Sequence, residues 1–177
     1  YSSIIQRERE GKYLGSTVQM VPHATSEIKE RITSMPGKVL SIEIGGTVGD
    51  IEGEIFLESV RELAFERSRN DFLFIHVTYV PYLRVTNEFK TKPTQQSVQL
   101  LRKIGIQPDI IVVRSEMPID SQSLYKIALF SGVSRDMVIN LPDIGNVYQI
   151  PETLYESDVH KLVAKRLSIT IEDRQLN

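Results

Sequence analysis

Apolar residues along this chain recur in two rhythms, and their alternation predicts the elements. Ile28 and Ile32 share a helical face that Thr25 or Ser26 can cap and Pro36-Gly37 ends. Val39-Leu40-Ser41-Ile42 then reads as a short buried strand, followed by a glycine-rich turn, Gly45-Gly46-Thr47-Val48-Gly49. From Glu52 to Arg67, Phe56, Val60, Leu63 and Ala64 return to helical spacing. The run Phe72 to Val80 is almost continuously apolar, which predicts a central strand covered on both faces. A polar loop, Pro81 to Lys92, leads into a helix carrying Val98, Leu101 and Ile104. Ile110 to Val113 forms the next predicted strand, and Leu124, Ile127, Ala128 and Val133 the next helix. Val138-Ile139 is a short strand, and Val159, Leu162, Val163 and Leu167 mark a last amphipathic helix.

Strands alternating with helices predict an α/β domain with a mainly parallel sheet flanked by helices. Neither repeats nor a low-complexity linker interrupt the pattern, so one domain is expected over residues 1–171, with a tail at 172–177.

Composition then removes whole classes of chemistry. The 177 residues contain no cysteine, which excludes disulfides, thiolate metal sites and cysteine nucleophiles. With 21 basic and 23 acidic residues the formal charge is -2, so DNA and RNA are not expected partners. No apolar stretch approaches the roughly 20 residues of a membrane helix. The chain begins Tyr1-Ser2-Ser3 with no secretory pattern and no initiating methionine, so it reads as part of a longer, cytoplasmic protein that does not meet a membrane.

Ligands of an open parallel sheet bind beyond the carboxyl ends of its strands. Three groups of residues fall there. Glu43 follows the first predicted strand and could hold magnesium against nucleotide phosphates, with Asp50 and Glu52 close behind. Acids at a helix start also favour its dipole without any ligand. The loop Glu88-Phe89-Lys90-Thr91-Lys92-Pro93-Thr94-Gln95 sets two lysines and two threonines near a helix N-terminus, a plausible phosphate cradle or else a solvated loop. Lys126 sits on a helix with Phe130, and Pro142-Asp143-Ile144 follows the last strand, where Asp143 could read a base or ribose edge or simply make a turn. His23 is expected in a local hydrogen bond, His76 as a satisfied core residue and His160 on a helix face; their scatter has no metal-ligand spacing. No G-x-x-x-x-G-K-[ST] loop is present.

Longer blocks sharpen this picture. Tyr13-Leu14-Gly15 with Thr17-Val18-Gln19 and Pro22-His23, the run Glu43 to Glu52, Val80-Pro81-Tyr82-Leu83, Lys90 to Gln95, Gly105 to Asp109 and Lys126 to Phe130 closely resemble the synthase half of the CTP synthase family. The blocks keep the family's order from about Tyr1 to Leu167. The resemblance implies a phosphate-loop NTPase-like amidoligase domain. In the family, ATP phosphorylates the uracil 4-oxygen of UTP and ammonia displaces the phosphate, giving CTP. It implies Glu43 as a magnesium ligand, and Asp50, Ile51 and Glu52 near the pyrimidine nucleotide. Lys90, Thr91, Lys92, Pro93, Thr94, Gln95 and Lys126, with Gln19, would hold UTP or the feedback inhibitor CTP. Pro142, Asp143 and Ile144 would line the adenine pocket of ATP. Homotetramers with sites shared between subunits, and a glutaminase domain further along the parent chain, are implied partners.

The family's phosphate-binding loop and its glutaminase cysteine have no counterpart here, so the chain by itself is expected to be inactive. Asn87 stands where the family has glycine, Gln96 where histidine is usual, and Gly53-Glu54-Ile55 also departs. The alternative class is a non-catalytic nucleotide-binding or assembly module. A different phosphate-loop ATPase would explain the alternation but not the block from Lys90 to Gln95.

Overall fold

The computed structural model describes residues 1–171, so the tail expected at 172–177 lies outside the described residues. The described chain forms two compact units, Tyr1–Ser68 and a second from Arg69 onward.

The first unit is helical: α1 (Ser2–Arg9), α2 (Thr25–Thr33) and α3 (Ile51–Glu66). Ser59, Val60, Leu63 and Ala64 are the buried face of α3, so three of the four apolar residues read at helical spacing pack, while Phe56 is 46% exposed. Arg7 on α1 pairs with Glu27 and Glu30 of α2, and Lys29 reaches from α2 to Glu62 and Glu66 of α3.

Two local expectations are corrected in this unit. Thr25 is the first residue of α2 rather than its cap, and its hydroxyl donates backwards to the Pro22 carbonyl at 3.1 Å. Val39–Ile42 is irregular, and Val39, Leu40 and Ile42 are exposed. A strand is stabilised by a ladder partner, and among the described residues no strand pairs with this segment.

The second unit carries the sheet. Its elements are β1 (Ile75–Tyr79), β2 (Tyr82–Leu83), β3 (Glu88–Phe89), α4 (Lys92–Ile104), β4 (Ile110–Ser115), α5 (Ser121–Ser131), β5 (Val138–Pro142), α6 (Ile150–Glu156) and α7 (Val159–Leu167). The order β1-β4-β5 is parallel throughout, with Val77 opposite Val112 and Val112 opposite Ile139. Strand β4 is central and almost wholly buried, and its alternating side chains feed two cores. Ile111 and Val113 pack with Val98 of α4 and with Leu124, Ile127 and Ala128 of α5. Ile110 and Val112 pack with Ile139 and Leu141 against Ile150 and Leu154 of α6 and Val159, Leu162 and Val163 of α7. Each fully buried Val or Ile here contributes about 1.5–3 kcal/mol. The result is an α/β sandwich of helices on both faces of a parallel sheet, consistent with a phosphate-loop NTPase-like domain.

Strand β1 is shorter than its apolar run and is covered on one face only, which corrects the expectation of burial on both. His76 and Thr78 face α4, where they meet Ser97 and Thr94. Ile75, Val77 and Tyr79 share the other face with Ile110 and Val112 by register but remain 46%, 59% and 44% exposed. The cover on that face comes from α6 and α7, which pack on residues of β4 and β5.

Helix ends follow their chemistry. Asp120 caps α5 by accepting the Ser123 N–H at 2.8 Å. Gly105 and Gly132 end α4 and α5 in the left-handed region, at φ 96° and 68°. A carboxylate staples the amino-terminal end of the sheet. Asp109 accepts from Arg69, from the Phe74 N–H at 2.8 Å and from Arg166 of α7 at 3.1 Å. Among the described residues, no helix is long and apolar enough to cross a membrane.

Candidate functional site

The carboxyl end of β1 leads directly into the basic block. The Val80 N–H extends the ladder to the Arg114 carbonyl at 2.8 Å, and the Lys90 N–H donates to Pro81 O at 2.9 Å. Between them β2 and β3 form a small antiparallel hairpin with Tyr82 against Phe89, ring centroids 4.9 Å apart. The hairpin therefore delivers Lys90 to the start of α4.

Within the block the side chains divide by direction. Thr91, Thr94 and Gln95 are buried: Gln95 Nε2 donates to Thr91 Oγ1 at 3.0 Å, and the Thr94 and Thr78 hydroxyls share a hydrogen bond of 3.0 Å. These contacts fasten the first turn of α4 to β1. Lys92 and Pro93 are exposed, and Lys90 is half-buried. No side chain caps α4, so its first backbone N–H groups lack the usual acceptor.

Lys126 is exposed on α5. Lys90 forms an ion pair with Glu88 of β3. Its carboxyl is held below the usual carboxylate range by the Lys90 ammonium, then by a hydrogen bond from Thr86 and by the charges of Lys90 and Lys126. Glu88 opens the block singled out in the sequence, where no role was assigned to it, although its place two residues before Lys90 in extended chain was a visible signal.

Pro142, expected after the last strand, is the final residue of β5, and Asp143 and Ile144 follow its carboxyl end. The Asp143 N–H donates to the Ser115 carbonyl at 2.8 Å, and its Oδ1 accepts from Arg114 Nη2 at 2.9 Å. The Ser115 hydroxyl donates to Met117 O at 2.7 Å. These bonds fix the loop after β5 to the end of β4. Two of the three residue groups thus lie at carboxyl ends of one parallel sheet, where such sheets bind ligands.

The third group lies in the first unit. Glu43, Asp50 and Glu52 line a groove of about 650 Å³ whose apolar wall includes Ile28 and Ile32 of α2 and Phe56 and Val60 of α3. Asp50 precedes α3, and its Oδ2 accepts the Thr47 N–H at 3.3 Å. Ile51 is 87% exposed, and Glu52 is exposed in the first turn. The turn before them depends on Gly46 and Gly49, at φ 93° and 102°, which a side chain would strain. Gln19 is exposed, and its backbone N–H donates to His23 Nδ1 at 3.0 Å.

Among the described residues no group of three or more His, Cys, Asp or Glu could hold a metal ion. Glu43 alone still fits magnesium, which commonly takes one or two carboxylates and completes its shell with water and substrate phosphates. The histidines lie as read from the sequence. His76 meets the Ser97 hydroxyl at 2.9 Å, and burial lowers its pKa. His160 stacks on Tyr155 of α6 with centroids 4.1 Å apart.

Comparison with known proteins agrees with the residue blocks. The family model described as CTP synthase N-terminus matches residues 1–169. A CTP synthase of Thermosipho africanus is 71% identical over 174 residues, covering 98% of this chain and 33% of that protein. One from Thermotoga maritima is 61% identical over 177 residues, covering 100% of this chain and 34% of the relative. One from Methanothermobacter thermautotrophicus is 48% identical, covering 97% of this chain and 33% of its own length. The chain spans about a third of the curated relatives it matches. Matched along almost all of its length, the chain belongs to the CTP synthase N-terminus family.

Proposed function

We propose that residues 1–171 form the major part of an ATP-dependent amidoligase domain that converts UTP to CTP. The observation that carries this reading is Lys90, ion-paired with Glu88 just before α4, whose first turn has no side-chain cap, in a chain of this family. Lysines beside free helix N–H groups suit a polyphosphate.

The chemistry follows from a poor leaving group. The uracil 4-oxygen attacks the γ-phosphorus of ATP, forming the O–P bond and releasing ADP. Ammonia then adds at C4, and the C4–O bond breaks with inorganic phosphate leaving. Loss of protons from nitrogen leaves the 4-amino group of CTP. Lys90, Lys92 and Lys126 hold the phosphates of UTP or of CTP as feedback inhibitor, on a segment completed by Thr91, Pro93, Thr94 and Gln95. Asp50, Ile51 and Glu52, with Gln19, approach a pyrimidine nucleotide. Glu52 is suited to accept from the cytosine amino group. Pro142, Asp143 and Ile144 line the adenine pocket. Magnesium, when bound, neutralises charge on the transferring phosphoryl group, and Glu43 is the residue that would hold it. A homotetramer and a glutaminase domain that supplies ammonia complete the reading.

The test is Lys90→Ala in the product of the complete reading frame, with initial rates measured against each nucleotide. Loss of a charge-assisted phosphate contact costs about 1.5–3 kcal/mol, so the KM for UTP rises roughly tenfold or more while that for ATP stays within about twofold. An equal rise for both nucleotides removes Lys90 from the UTP site.

A further inference from the structure

We propose that Glu88 is a counter-anion built into the polyphosphate site: it holds Lys90 and gives way to nucleotide phosphates. The inference rests on the reading of Lys90 as a phosphate ligand and goes beyond it, because it assigns a residue that opposes binding. Glu88 lies on β3, and its carboxylate forms an ion pair with Lys90. The carboxylate therefore occupies the Lys90 ammonium, the cation that an incoming phosphate would need.

Two features make it a placeholder rather than a permanent partner. The Lys90 and Glu88 side chains are 42% and 47% exposed, so water can solvate the carboxylate once it is displaced. A phosphate presents more acceptor oxygens than a carboxylate, so the exchange favours the nucleotide. Until then Glu88 holds the Lys90 ammonium, and breaking that pair is part of the cost of binding. The net effect is a site that discriminates by phosphate charge, with its affinity set below what the lysines alone would give.

The experiment is calorimetric titration of UTP and of uridine into the product of the complete reading frame. Four proteins are compared: wild type, Glu88→Gln, Lys90→Ala and the double variant. Removing the competing charge from an exposed ion pair should tighten UTP about two- to fivefold. Uridine, which has no phosphate, should be unaffected, and the gain should vanish in the Lys90→Ala background. Weaker or unchanged UTP binding in Glu88→Gln overturns the proposal. So does an equal shift for uridine, or a gain that persists without Lys90. If Lys90→Ala itself leaves UTP binding unchanged, the phosphate site fails and this inference with it. If Lys90→Ala weakens UTP while Glu88→Gln does nothing, only the role of Glu88 fails. Glutamine keeps the shape of the exposed side chain, and circular dichroism of each variant confirms folding.

Discussion

Replacing Asp109 by asparagine should destabilise the second unit more than any other single change of charge within its described residues. The carboxylate accepts from Arg69 Nη2 at 2.8 and 2.9 Å, from the Phe74 N–H at 2.8 Å and from Arg166 Nε at 3.1 Å. Arg166 Nη2 also donates to the Arg69 carbonyl at 3.0 Å, so one anion joins the start of the sheet, the turn before it and α7. Asparagine keeps the shape but removes the charge, and its amide NH2 must face at least one donor. Breaking a fully buried pair costs about 3–5 kcal/mol. Asp109 is 18% exposed, but Arg69 and Arg166 are 41% and 25% exposed. Solvent screening of the arginines brings the expected loss to about 2–3 kcal/mol. With a urea m-value of about 2 kcal/mol per molar, the unfolding midpoint should fall by about 1–1.5 M. The assay is urea denaturation followed by circular dichroism. A fall below about 0.5 M, or a loss equal to that of Arg166→Ala alone, would refute the view that Asp109 is the shared acceptor.

Further outcomes follow from other groups. Asp120→Ala should cost about 1 kcal/mol near neutral pH by uncapping α5. The backbone and hydroxyl of Ser123 hold the Asp120 carboxyl below its ordinary range, so this stabilisation is full above the unfolded-state value. It is lost as pH falls through the lower folded value, and the gap between variant and wild type should close in acid; a gap independent of pH would contradict the cap. His76, with its pKa lowered by burial, should titrate by NMR below the ordinary histidine value. The stability tied to its neutral form is full above the unfolded value and declines as pH falls toward the folded one, and a midpoint at or above the ordinary value would contradict its burial. Glu43→Gln should leave the fold intact, since Glu43 is exposed, and abolish turnover. Near-normal rates at limiting magnesium would remove Glu43 from metal binding.

Periodicity found the elements whose burial is complete within their own unit. The spacing of Val60, Leu63 and Ala64 is the packed face of α3, and Ile110 to Val113 is the buried centre of the sheet. It failed where an apolar run lacks a partner. Val39–Ile42 has strand composition but no ladder, and Phe72 to Val80 looks buried on both faces although β1 is an edge strand with helical cover on one. Short elements were also illegible. The β2–β3 hairpin shows only two paired residues on each strand, and α6 offers little more than Ile150 and Leu154 as an apolar face.

The candidate site was legible as residue types and not as directions. Two threonines and a glutamine beside two lysines look alike in sequence. The structure turns Thr91, Thr94 and Gln95 inward and leaves the lysines toward solvent. Only coordinates reveal such a division, because it depends on where α4 meets Thr78 of β1.

The most direct test is ammonium-dependent conversion of UTP to CTP, with ATP and magnesium, by the product of the complete reading frame. The amidoligase reading predicts CTP formation with one ADP and one phosphate released per CTP. A folded product that binds UTP but forms no CTP would contradict it and leave a non-catalytic nucleotide-binding module.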